Sequence, residues 1–111
     1  MPSGLVHQSQ LANEVAKVIP KLGNEVVRVT HSIGADTTGE PSIVFRIVLS
    51  DSAVREDTLA DVTGRIATIL FKEIRPYEDW GLIPYFTFRS KSEQAERNEP
   101  EWLYNVNGLS R

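Results

Sequence analysis

The sequence predicts an α+β fold: a two-layer sandwich in α-β-β-α-β order, with a three-stranded mixed sheet, two helices on one face and a C-terminal tail. Two stretches have apolar residues at helical spacing, and three have them at every second position. One side of the strand-like stretches is strongly apolar, and both helices need a surface for their own apolar stripes. We therefore expect the helices on that side and an open surface on the other.

The helices are predicted from apolar residues that recur three and four positions apart. After a loose N-terminus at residues 1–7, the first helix covers residues 8–19 and Pro20 ends it, because the residue before a proline avoids the helical region. The second helix covers residues 53–74, and Pro76 follows it. The sequence thus supplies a short helix before the strands and a long one between the second and third.

Residues 25–33 and 42–49 are predicted to form an antiparallel hairpin, because β-branched residues dominate both runs with a period of two. Matching the apolar faces fixes the register. It pairs Ile33 with Ile43, His31 with Phe45, Val29 with Ile47 and Val27 with Leu49. Residues 83–89 form the third strand. Because proline has no amide donor, Pro84 indicates that this strand lies at an edge or starts near the proline.

The C-terminal part, residues 90–111, is predicted to be a short helix and a tail within one domain of residues 1–111. Ser90 and Glu93 have the spacing of a capping box, which favours a helix over residues 92–98. The segment at residues 76–82 is predicted to be a loop.

The open face of the predicted sheet presents the best binding candidates. Alternation turns Arg28, Arg46, Arg89 and Tyr85 away from the core. Arginine makes bidentate contacts with carboxylates and phosphates, and tyrosine offers a stacking surface. A solvated face, in which the arginine stems cover neighbouring valines, is the alternative interpretation.

The tail supplies two further candidates, Trp102 and Tyr104, which follow a run of glutamates. Acidic residues beside a short aromatic cluster are suited to docking on a partner or on this protein's own sheet. The sequence leaves both alternatives open.

Composition limits the function. The chain has 111 residues, a formal net charge of -3 and a pI of about 5.3, which disfavours a nucleic-acid partner because such proteins usually have a basic excess. It has no cysteine, which excludes disulfides, thiolate zinc sites and cysteine nucleophiles. With no signal segment or membrane-length apolar run, we expect a cytoplasmic protein without a membrane partner.

No motif indicates an enzyme, a cofactor or a metal site, so we expect none of them. His31 is predicted on the apolar face, where a neutral histidine with one hydrogen-bonded nitrogen is favoured over a general base. Asp36 lies in the hairpin loop at residues 34–41. A small hydrolase or nuclease built on His31 and Asp36 is kept as an alternative and requires that the two side chains converge.

Two stretches, GADTTGEPSIVFRIVLSD at residues 34–51 and GLIPYFTFRSKSEQA at residues 81–95, resemble a family of small uncharacterised bacterial proteins. The resemblance spans most of residues 25–102. It implies a loose association with neighbours of HEPN-type toxin or defence genes, and it implies no catalytic residues.

The favoured hypothesis is a non-enzymatic accessory protein that binds a protein partner, or itself as a homodimer, through the open sheet face and the tail. Its contact residues are Arg28, Arg46, Tyr85, Arg89, Trp102 and Tyr104. The alternative is a single-stranded nucleic-acid binder that uses the three arginines and Tyr85.

Overall fold

A computed structural model describes residues 2–107; Met1 and residues 108–111, the end of the predicted tail, lie outside the described part. Within it the chain forms five α-helices and a four-stranded sheet. The helices are α1 (Ser3–Val6), α2 (Gln8–Val18), α3 (Leu59–Ile74), α4 (Pro76–Trp80) and α5 (Lys91–Arg97). The strands are β1 (Val26–Ala35), β2 (Pro41–Leu49), β3 (Ile83–Ser90) and β4 (Val106–Asn107). Short 3₁₀ turns lie at Ile19–Lys21, Asp51–Ala53 and Pro100–Trp102. The α+β prediction is confirmed.

The strands lie in the order β3-β2-β1-β4. β1 and β2 are antiparallel, whereas β3 is parallel to β2 because the chain crosses over through α3 between them. The mixed sheet of three strands is therefore as predicted. The two-residue β4, which comes from the tail and lies parallel to β1, was not expected.

The hairpin register matches the prediction at three of the four pairs: Ile33 with Ile43, His31 with Phe45 and Val29 with Ile47. The fourth pair, Val27 with Leu49, is wrong. A β-bulge inserts Val27 as an extra residue, so that Val26 pairs with Leu49 instead. Val26 packs against the core and Val27 is exposed.

The inner face of the sheet packs against α2 and α3. Each helix turns one apolar stripe inward. The buried helical residues are Leu11, Val15 and Val18 from α2, and Val62, Ile66, Leu70 and Ile74 from α3. α3 begins at Leu59, later than predicted, because the backbone first turns at Arg55, whose carbonyl accepts from the amides of Thr58 and Leu59 at 3.1 and 2.8 Å.

The N-terminal residues are more ordered than the loose start predicted for residues 1–7. α1 lies against α4, the helix that forms where a loop was predicted. Gly4 is buried, and a Cβ atom there would lie 2.8 Å from Leu82 Cγ and 3.0 Å from the Trp80 carbonyl oxygen. This close approach fixes α1 onto the end of the core.

The predicted capping box starts α5. The Ser90 hydroxyl accepts from the Glu93 amide at 3.1 Å, and the Glu93 carboxylate accepts from the Ser90 amide at 2.9 Å. Because Ser90 is also the last residue of β3, the box turns the chain directly from the sheet into the segment that leads to the tail.

No helix within residues 2–107 combines the length and the apolar character needed to cross a bilayer.

Candidate interaction surface on the outer face of the sheet

The outer face of the sheet is the side turned away from α2 and α3. The strand register arranges its residues in three rows across β1, β2 and β3. The rows are Arg28, Val48 and Arg89; Thr30, Arg46 and Thr87; and Ser32, Val44 and Tyr85. The three arginines and Tyr85 therefore lie on one side, as alternation predicted. On the opposite side, the rings of Phe45 and Phe86 stack with centroids 5.5 Å apart.

One half of the outer face is closed by the chain itself. The Arg89 guanidinium lies over the Trp102 ring, with Cζ 4.2 Å from the ring centroid. It donates to the Gln94 amide oxygen at 3.1 Å and pairs with the Glu99 carboxylate. The Arg89 side chain is only 11% exposed as a result. Residues of α5 and the tail thus bind both terminal nitrogens of this guanidinium.

The tail completes the closure with polar contacts to β1. The Thr30 hydroxyl donates to the Glu101 carbonyl at 3.0 Å, and the His31 amide donates to the Asn105 side-chain oxygen at 2.9 Å. The turn at Pro100–Trp102 contacts both β1 and β2. Of the two alternatives that the sequence left open, docking on a partner or on its own sheet, the described tail residues adopt the second.

The other half of the outer face stays uncovered within residues 2–107. Arg46 donates to the Ser32 hydroxyl and is partly exposed, while Tyr85 is 42% exposed and Thr87 is exposed. A shallow cavity of about 290 Å³ lies beside them, lined by Ala35, Asp36, Thr37, Ser42, Val44 and Tyr85. We call this region, with Ser32, Val44, Arg46, Tyr85 and Thr87 at its centre, the open half.

Asp36 fixes the position of Tyr85 in the open half. Its carboxylate accepts from the Tyr85 hydroxyl at 2.8 Å, from the Thr38 hydroxyl at 2.6 Å and from the amides of Thr38 and Glu40 at 2.9 Å. The Thr38 hydroxyl, the Tyr85 hydroxyl and these amides lower the pKa of Asp36 to about 2. The hydrogen bond that Tyr85 donates to Asp36 raises the pKa of Tyr85. The hairpin loop at residues 34–41 is therefore held in a defined conformation and in turn holds an aromatic ring.

His31 and Asp36 are not brought together. The His31 ring is fully buried on the inner face, while Asp36 bonds to Tyr85 on the outer face. Burial lowers the pKa of His31 to about 4, which keeps the ring neutral. We expected one hydrogen-bonded nitrogen, but neither Nδ1 nor Nε2 has a partner among the described residues. The two side chains therefore lie on opposite faces of the sheet and do not share a site.

The remaining binding candidates differ in their surroundings. Arg28 is exposed beside the bulge, Tyr104 is 67% exposed on the tail, and Trp102 is 6% exposed beneath it. Within residues 2–107, no three histidine, aspartate or glutamate side chains gather closely enough to hold a metal ion.

Sequence reasoning missed Gln94 and Asn105, two polar residues that shape this surface. Gln94 is buried and accepts from Arg89, and Asn105 fastens the tail to β1. The capping box at Ser90 places Gln94 in a helix, but no local pattern marks Gln94 as a partner of Arg89. No local pattern marks Asn105, whose partner lies 74 positions away in the chain.

No family model, no curated protein and no solved structure matches the chain. The resemblance to small bacterial proteins therefore stays a prediction.

Proposed function

We propose that this protein is a non-enzymatic interaction protein that binds a protein partner, or a second copy of itself, through the outer face of its sheet and its tail. The observation that supports the proposal most strongly is the open half. Partly apolar strand residues lie uncovered beside a cationic side chain and a fixed tyrosine, although the other half of the same face is covered. The cytoplasmic setting, and the defence- or toxin-linked one suggested by the resemblance, belong to the same proposal.

The chemistry of the open half fits a protein better than a small substrate. Val44 contributes an apolar floor, Arg46 a guanidinium and Tyr85 an amphipathic ring. Tyrosine and arginine are enriched among the residues that dominate binding energies in protein interfaces. Because the bond to Asp36 fixes the Tyr85 ring before a partner arrives, less side-chain entropy is lost on binding.

Two observations favour a protein partner over single-stranded nucleic acid, which remains the alternative. Arg89 is withdrawn from the face by Glu99 and Trp102, so that one of the three arginines no longer meets a phosphate. The Tyr85 hydroxyl bonds to the Asp36 carboxylate, which places a negative charge beside the stacking ring.

The test is affinity capture from a lysate of the source organism, with the retained proteins identified by mass spectrometry, together with sedimentation of the purified protein. We expect either a defined partner or a concentration-dependent dimer. Arg46→Glu reverses the charge of the open half and is expected to reduce binding at least about tenfold, which corresponds to 1.4 kcal/mol. Lys72→Glu is the matched control, because Lys72 is exposed on α3 in the helical layer.

Equal capture by wild type and Arg46→Glu contradicts the proposal, as does a monomer that retains nothing. To examine the alternative, labelled oligonucleotides are titrated at low salt. Binding that weakens steeply with salt and disappears in Arg46→Glu indicates nucleic acid instead of a protein.

A further inference from the structure

We call the covered part of the outer face, with Thr30, Arg89 and Gln94 beneath the tail, the closed half. The tail is held there by a single buried side chain. Among residues 98–105, Trp102 is buried, Leu103 is half-buried and the others are exposed. Trp102 does not belong to the main core, which is built from the inner face and the helices. The tail is therefore attached to a finished domain and is not part of its centre.

The contacts of the tail are those by which interaction domains hold a peptide. An aromatic anchor packs against an arginine, a carboxylate pairs with the same arginine, and a backbone carbonyl accepts from a hydroxyl of the sheet. The tail then adds a short parallel strand to β1, with Val106 opposite Ser32 and Asn107 opposite Ile33. Strand addition to a sheet edge, with anchors for selected side chains, is a recurring mode of peptide recognition.

We propose that the closed half is a docking site for an acidic, tryptophan-containing segment of a partner protein, and that the tail is its intramolecular occupant. This inference rests on the proposed function and names the chemistry of the partner. The spacing of the contacts defines the ligand. A carboxylate three residues before the tryptophan pairs with Arg89, as Glu99 does, and the residue before the tryptophan offers its carbonyl to Thr30.

The open half gives the partner a way to displace the tail. A tethered segment has an effective concentration in the millimolar range, so that a free peptide of equal affinity competes poorly with it. A partner that first binds at Arg46 and Tyr85 brings its own segment to a comparable local concentration. Binding at the open half and exchange at the closed half are thereby coupled.

The direct test uses the full chain with Trp102→Ala, which removes the anchor of the tail and leaves the docking site. The probe is a fluorescent peptide with the sequence of residues 98–105, NEPEWLYN, titrated by anisotropy. We expect Trp102→Ala to bind it at least about tenfold more tightly than wild type does. The same peptide with alanine in place of tryptophan is the matched control and is expected to bind neither protein.

Two results of this titration overturn the inference. One is a folded Trp102→Ala variant, judged by circular dichroism, that fails to bind the peptide. The other is equal binding by variant and wild type. The capture experiment with Arg46→Glu separates the two proposals. If Arg46→Glu abolishes partner capture but Trp102→Ala does not bind the peptide, only this inference fails. If Trp102→Ala binds the peptide but Arg46→Glu captures the partner as well as wild type does, only the proposed function fails.

A second measurement on wild type covers the case in which Trp102→Ala does not fold. The amides of Trp102, Leu103 and Tyr104 donate to carbonyls of the tail itself at 3.0, 2.9 and 3.1 Å. If the tail detaches without unfolding the domain, these amides exchange with solvent by a local opening. We expect protection at least about 100-fold lower than for amides between β1 and β2. Protection equal to that of the central strands overturns the inference.

Discussion

The inner and outer faces of the sheet are held together in different ways. On the inner face, aliphatic side chains of three strands meet those of two helices, and residues such as Ile43, Phe45 and Ile47 have no exposed surface. On the outer face, one tryptophan, one arginine and a few hydrogen bonds hold the tail. The inner face therefore maintains the fold by many similar contacts, whereas the outer face holds the tail by one buried side chain and leaves half of its surface uncovered among the described residues.

The largest expected effect lies on the inner face. Ile47→Ala removes a fully buried side chain between β1, β3 and the helices, and its neighbours can fill only part of the cavity. We expect the free energy of unfolding to fall by about 4 kcal/mol in urea titrations. Val27→Ala, at the exposed bulge, is the matched control and is expected to change it by less than about 0.5 kcal/mol.

Trp102→Ala tests the anchor of the outer face. We expect a loss of about 3 kcal/mol, at the lower end for a buried tryptophan, because Trp102 lies outside the main core. Far-UV circular dichroism should remain close to that of wild type, since the inner face is untouched. Tyr104→Ala serves as the control and should have little effect. A Trp102→Ala protein that lacks helix and sheet contradicts the distinction between the two faces.

His31 makes the inner face sensitive to acid. Its pKa is about 4 in the folded protein and near 6.5 when unfolded, so below pH 6.5 the unfolded chain binds the additional proton. The free energy of unfolding should therefore fall as the pH drops from 6.5, by about 3 kcal/mol at pH 4.

The comparison with His31→Leu isolates this effect. In the variant, the fall in the free energy of unfolding that His31 causes between pH 6.5 and 4 should be absent. Both proteins still lose stability in acid through carboxylates whose pKa values are lowered in the fold, which are those of Glu25, Asp36, Asp51 and Glu93. At pH 7 it should be about 1 kcal/mol more stable than wild type, because it removes a buried ring nitrogen–hydrogen group that has no acceptor among the described residues. Parallel pH profiles for the two proteins would show that His31 is not neutral and buried.

The smallest expected effect is a difference in the stability lost when each of two arginines of the outer face is replaced. Arg89→Met keeps the apolar stem but removes the contacts with Glu99 and with the face of Trp102, and should cost about 1–2 kcal/mol. Arg46→Met removes a partly exposed guanidinium from the open half and should cost less than about 0.5 kcal/mol. Equal costs in urea titrations would mean that the closed and open halves do not differ.

The sequence predicted the placement of the arginines because a strand turns alternate residues to opposite sides, and this rule needs no knowledge of the rest of the fold. It failed at Val27, where a bulge changes the pairing without a glycine or proline to signal it. It placed His31 on the buried face but could not reveal that the ring lacks hydrogen-bond partners, since that depends on every element packed around it.

The position of the tail could not be settled from the sequence for a different reason. Acidic residues near Trp102 complement an arginine-bearing face whether that face belongs to this chain or to a partner. The choice depends on the turn that α5 makes after Ser90, which brings Gln94, Glu99 and Trp102 back over Arg89. The further attachment through Asn105 joins residues that are distant in the chain and have no shared pattern.

Hydroxyl-radical footprinting at single-residue resolution tests the division of the outer face most directly, because Trp102, Tyr85 and Tyr104 all react readily when solvent reaches them. In the purified monomer we expect strong labelling of Tyr85 and Tyr104 and protection of Trp102. Labelling of Trp102 as fast as Tyr104, or protection of Tyr85 in a monomer, would contradict the account.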